Sequence, residues 1–155
     1  MKAILISIQP KYVKKILNME KTLEIRRTMP KCDLPIDVYI YCTKNQGKKN
    51  YISIVKIDLS NGDKYEWKLN GKVVAKFRLN DIKNIFAIHM PFNYFYKATD
   101  LTLQQLTDKS CLTQIELDEY LRRKKGYAWI IDDLEILDLP LTISKPPQSW
   151  CYIEI

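Results

Sequence analysis

Histidine is nearly missing from this sequence, with His89 the single example among 155 residues, and glycine is almost as scarce, at four. One imidazole cannot build the multi-histidine sets used by many metal centres and acid–base systems. The four cysteines, Cys32, Cys42, Cys111 and Cys151, lie far apart and form no Cys-x-x-Cys pair, so zinc-finger spacing is absent. Reduced thiols in a cytoplasm are expected rather than two disulfides, and neither a metal nor another cofactor. Long apolar runs are lacking too. Ala3-Ile4-Leu5-Ile6 falls far short of the roughly 20 residues that cross a bilayer, so the reading expects no membrane span, no signal peptide and no membrane partner. Repeats and low-complexity tracts do not occur, which argues against a fibre or a flexible linker protein.

What is present fits one soluble globular domain over residues 1–155, with 46% hydrophobic and 28% charged residues and a formal charge of +7. The charge is unevenly spread. Residues 1–83 hold 18 basic and 8 acidic side chains, and residues 84–155 hold 7 and 10. A basic half suggests a surface for a polyanion, most simply nucleic acid, because neutralised phosphates release counterions. A solvated lysine-rich surface is the plainer account.

Lys2 to Ile8 is apolar on both faces and reads as a buried strand ended by Pro10. Tyr12, Val13, Ile16 and Leu17 then take helical spacing, with Lys11, Lys14, Lys15 and Asn18 opposite. Thr22 to Arg27 alternates at period two, which turns Leu23 and Ile25 to a core and clusters Thr22, Glu24 and Arg26 on the other face. Ile36 to Cys42 has strand composition. The pairs Asn61-Gly62 and Asn70-Gly71 suit tight turns, and predict three antiparallel strands near 51–59, 64–69 and 72–79. Phe86 to Tyr96, interrupted by Pro91, resists assignment. Thr113-Gln114-Ile115-Glu116 fits a capping box and predicts a helix ending at Lys124, Lys125 and Gly126. Tyr127 to Leu137, interrupted at Asp132-Asp133, and Ser149 to Ile153 read as the last strands. Many strands, few helices and no βαβ alternation imply an α+β protein on a mixed, curled sheet or barrel.

The run Asn18-Met19-Glu20-Lys21-Thr22-Leu23-Glu24-Ile25-Arg26-Arg27 resembles the hallmark of the ASCH domain family, a Gly-x-Lys-Thr-x-Glu-x-Arg signature, with Met19 in place of the glycine. Gly71 to Phe77 is similar to that family's central barrel strand, and Pro147 to Tyr152 to the closing strand of phage and prophage members. The resemblance implies a PUA-like (ASCH) mixed β-barrel with flanking short helices, here carrying an inserted β-hairpin at approximately 44–70. It also implies binding of RNA or a modified nucleoside or nucleotide. One branch resembles small amidohydrolases that deacetylate acetylcytidine with a lysine and threonine of the motif and a separate glutamate. Lys21 stands at that lysine, while Glu24 occupies the place of the threonine nucleophile.

Three readings of function follow. In a binding protein, Lys21, Glu24 and Arg26 would line a basic cleft, where the carboxylate accepts from a base amino group and the cations hold phosphate. Arg27 at the rim, Ser7 at the end of the first strand, and Tyr41, Trp129 and Trp150 as stacking faces complete the candidate nucleic-acid site, with core packing the plainer account of each aromatic. Lys72 and Lys76, with Arg78, would form a positive stripe, and Lys44, Lys48, Lys49, Lys64 and Lys68 would track a backbone. In an enzyme, Lys21, Thr22 and Glu24 would be catalytic, with a glutamate such as Glu116, for amide hydrolysis; Lys21 and Arg26 would serve phosphodiester cleavage. A third reading is a phage-encoded protein that binds a host protein. His89 is assigned a packing role.

Overall fold

In the computed structural model, which describes residues 1–44 and 51–155, the chain divides into two compact units. The first comprises Met1–Leu17, Asp37–Phe77 and Leu134–Ile155, and the second Asn18–Ile36 and Arg78–Asp133. The described residues form eleven strands and three helices, an α+β chain as expected. Their ladders make sheets of five, four and two strands that do not close into a barrel.

In the first unit β1 (Lys2–Ile8) runs parallel to β3 (Ile36–Cys42) and antiparallel to β11 (Trp150–Glu154), within a sheet ordered β10-β6-β3-β1-β11. Six of the seven β1 residues are buried, which is why its sequence shows no alternation. Pro10 opens α1 (Pro10–Leu17) rather than merely ending the strand, because proline suits the first helical position, where its missing N–H costs nothing. Leu5, Tyr41 and Val73 pack together in this core.

The three-strand prediction at 51–79 needs correction. β4 (Ser53–Ile57) and β5 (Lys64–Lys68) pair as a separate two-stranded sheet, while β6 (Lys72–Leu79) joins β3 and β10 (Asp132–Thr142). Gly71, at φ +78, bends a turn closed by the Lys72 N–H to the Leu69 carbonyl, and its own N–H goes to Cys42. The turn therefore redirects the chain to another sheet instead of folding β6 back on β5. Lys48 and Lys49 lie outside the described residues, as does the 45–50 part of the expected insertion.

In the second unit the sheet order is β2-β9-β7-β8, from β2 (Leu23–Arg26), β9 (Gly126–Ile130), β7 (Ile82–His89) and β8 (Tyr94–Ala98). Phe86 to Tyr96 is thus a hairpin, with Pro91 in a turn closed by paired backbone hydrogen bonds between Met90 and Asn93. Leu23, Ile25, Ile85 and Ala128 share a core with Leu106 of α2 (Leu103–Ser110) and Leu117 and Leu121 of α3 (Gln114–Leu121). The Thr113–Glu116 capping box forms as read, but α3 stops at Arg122, in the left-handed conformation at φ 52, and Gly126 instead starts β9. Helix α2 carries a second capping box, Thr102 with Gln105, that sequence reading passed over.

Candidate functional site

The motif strand β2 buries all four of its residues. Its period-two alternation places Leu23 and Ile25 in the core with the helices and leaves Glu24 and Arg26 together on the opposite face, as expected. That face is not open to water: Lys21, Glu24 and Arg26 are 2%, 7% and 9% exposed. Burial on both faces forces the ions to satisfy one another. Lys21 Nζ donates to the Ser110 carbonyl at 2.6 Å and lies 3.4 Å from Glu24 Oε2. Arg26 Nε donates to Glu24 Oε1 at 3.0 Å. Each oxygen of Glu24 thus has its own cation, and among the described residues no buried side-chain nitrogen or oxygen lacks a partner.

Ser110 contributes a carbonyl at the end of α2, 89 positions from Lys21, and no local signal could have linked the two. The Thr22 backbone strengthens the link, donating to Lys109 and accepting from Ile131. Arg27 turns away from the cluster as its alternation predicts. Its Nε and Nη2 donate to the Tyr120 carbonyl at 2.8 and 2.6 Å, with the guanidinium 4.7 Å from the Tyr120 ring. Trp129 is the cross-strand neighbour of Glu24, wholly buried, with its indole N–H on the Thr28 carbonyl at 3.2 Å. It therefore flanks the carboxylate on the same sheet face and offers no open stacking face. Glu116 serves the cap of α3.

The remaining candidates belong to the first unit. Ser7 donates to the Pro147 carbonyl at 2.6 Å. Tyr41 is core, 3% exposed, and burial followed by the neighbouring Cys42 raises its phenol above the ordinary range. Trp150 is half-buried and stands edge-on to Tyr152, with centroids 5.6 Å apart. Lys72 and Lys76 do share a face, but Val74 between them is fully buried, and Lys76 sits 3.5 Å from Glu135. Arg78 is half-buried on the same strand face, so the stripe is three half-buried cations and not one continuous exposed track. All four cysteines are free, and burial pushes the Cys42 thiol up to about 12. Among the described residues no group of three or more His, Cys, Asp or Glu side chains is placed to hold a metal, and no helix is long and apolar enough to cross a membrane.

Chemically, the β2 cluster is a carboxylate clamped between two cations beside an indole. Comparison with protein-family models and with curated protein sequences finds no match. Comparison with solved structures does. ASCH from Zymomonas mobilis superposes with a TM-score of 0.62 at 17% identity, over 98% of this chain and 87% of its own. A tyrosine-to-phenylalanine mutant of that protein gives 0.60 at 17% identity, over 99% and 91%. A serine-to-alanine mutant gives 0.59 at 16%, over 98% and 88%. The chain is built on the fold of the ASCH domain structures.

Proposed function

We propose that this protein binds RNA or a modified nucleoside or nucleotide, with the Lys21–Glu24–Arg26 cluster as its base-recognition element. The observation that supports this reading most is the burial of the cluster. Ionic groups taken out of water lose several kcal/mol of solvation each, and an apolar trio of similar volume is often as stable or more so, so stability is a weak reason to keep them. Recognition is a better one. A fixed carboxylate accepts from the amino group of a base, and its flanking cations set its direction and favour an anionic ligand. The ASCH-type fold, together with the match of the run from Lys21 to Arg26 to the ASCH signature, points the same way. Recognition is preferred to hydrolysis because Lys21 is engaged by Ser110 and Glu24, and Glu24 stands where the amidohydrolase branch has its nucleophile.

The test is a titration of fluorescent single-stranded RNA at two salt concentrations with the parent protein and with Glu24→Gln, which keeps shape while altering the acceptor. Salt-sensitive binding that the variant weakens by about tenfold, one charge-assisted hydrogen bond, is expected. Product formation from RNA or acetylcytidine would favour hydrolysis instead. Absence of binding by the parent would overturn the RNA reading and leave a free nucleoside or a host protein as the ligand to seek.

A further inference from the structure

Strand β8 and helices α2 and α3 line an open surface cavity of about 240 Å³ in the second unit, to which none of the β2 residues contributes. Tyr94, Tyr96, Leu103, Gln114, Ile115 and Asp118 give it its character. Its chemistry is one-sided. Asp118 brings a carboxylate, and no lining residue is basic. The phenols of Tyr94 and Tyr96 both donate to that carboxylate, Tyr96 to Oδ1 at 2.7 Å and Tyr94 to Oδ2. Those two bonds, Tyr94 first, together with the nearby Arg123 charge, hold the Asp118 carboxyl below the ordinary carboxylate range, so it is an anion with one cation already close by.

A carboxylate oxygen accepts more than one donor, and each of these has accepted a single phenol from the pair. The rings add a second attraction. Tyr94 and Tyr96 stand edge to face, with centroids 5.9 Å apart, and the Tyr94 face already holds a cation, the Arg123 guanidinium at 4.5 Å. An aromatic face beside an anion is the usual environment of an organic cation. Leu103 and Ile115 supply an apolar flank, and Ile115 is 71% exposed although it belongs to the wall of a cavity.

We propose that this cavity is a binding site for a small organic cation, a primary ammonium on an apolar stem, with the nitrogen on Asp118 and the stem along Leu103 and Ile115. An anion would meet the carboxylate's repulsion. A wholly apolar guest would strip water from it and return no hydrogen bond. Arg123 is the internal competitor such a ligand works against. The site involves neither Lys21 nor Glu24, and stands whether or not the nucleotide reading does.

The experiment is an NMR titration of the isotope-labelled full chain with benzylamine at pH 7, with benzyl alcohol as the neutral counterpart. Benzylamine is expected to shift amides of β8 and α3, with benzyl alcohol about tenfold weaker, one charge-assisted hydrogen bond. Asp118→Asn and, independently, Ile115→Trp, which fills the mouth at an exposed position, should each weaken benzylamine by about as much. If Asp118→Asn fails to fold, Ile115→Trp decides alone. Equal affinity for the alcohol, titration of Ile115→Trp like the parent, or no shifts in the parent up to tens of millimolar would each overturn the proposal.

Discussion

Lys21, at 2% exposure, has exchanged water for the Ser110 carbonyl and the Glu24 carboxylate, and that exchange decides what each substitution should do. Lys21→Met keeps the stem but leaves a buried carboxylate short of one cation and a carbonyl short of its donor. It is expected to cost about 3–5 kcal/mol in urea unfolding. Adding Glu24→Gln should recover part of that loss, because the uncompensated charge goes with it; strictly additive losses would show that the two side chains are not coupled. Met19 presents the opposite case. It takes the position of the signature glycine and adopts it at φ 61, while 74% exposed, so it bears backbone strain and little packing. A left-handed non-glycine residue costs roughly 1–2 kcal/mol and glycine's extra freedom roughly 0.5–1. Met19→Gly should therefore stabilise by about 0.5 kcal/mol, seen as a higher urea midpoint at unchanged slope. The pairing of Glu24 with Arg26 was legible from their spacing of two along a strand. The acceptor for Lys21 was not, since a backbone carbonyl carries no residue-type signal.

Between elements, the ties that matter are local in space and remote in sequence. Asp118 joins α3 to β8 through two phenols, and the Arg123 N–H donates to the Tyr96 hydroxyl at 2.9 Å. This tie should appear in the pH dependence of stability. The Asp118 pKa is depressed, so its contribution is present above the unfolded carboxylate pKa near 4 and is lost as pH falls through the lower folded value. Tyr96 is raised to about 12, by burial first and then by the hydrogen bond to Asp118, so its contribution is complete below about 10 and is lost as pH rises through 12. Asp118→Asn should flatten the acid limb of stability measured against pH, and Tyr96→Phe the alkaline one. Gly126 makes another such contact: a Cβ there would stand 2.5 Å from the Leu121 side chain and 3.3 Å from the Arg26 carbonyl. Because Leu121 is fully buried, Gly126→Ala is expected to lose about 1–3 kcal/mol to overpacking. The signal at Gly126 was visible but misread as a helix stop, since glycine marks a helix end and a close approach equally well. Helix α2 was equally visible in Thr102 and Gln105.

At the scale of the molecule, the charge is uneven between the compact units as it is along the sequence, though less sharply so. The first unit holds 13 basic and 7 acidic residues and the second 12 and 11. If phosphate contacts arise from the first, Lys72→Gln and Lys76→Gln should each reduce the salt slope of RNA binding by about 0.7, whereas Glu24→Gln should leave it unchanged. Equal slopes in all three variants would remove those lysines from the interface. The sequence by itself determined most of the short-range features: the strands outside the β7–β8 hairpin, the proline that opens α1, the capping box that starts α3, and the face of β2 that carries ions. These depend on backbone sterics and neighbours a few residues apart. Only the tertiary structure decided that β6 leaves the β4–β5 hairpin for another sheet, that the β2 ions are buried, that Tyr41 and Trp129 are core, and that Asp118 meets two tyrosines. Those outcomes depend on which distant segments exclude water from one another, a property of the assembled chain that no window of residues contains.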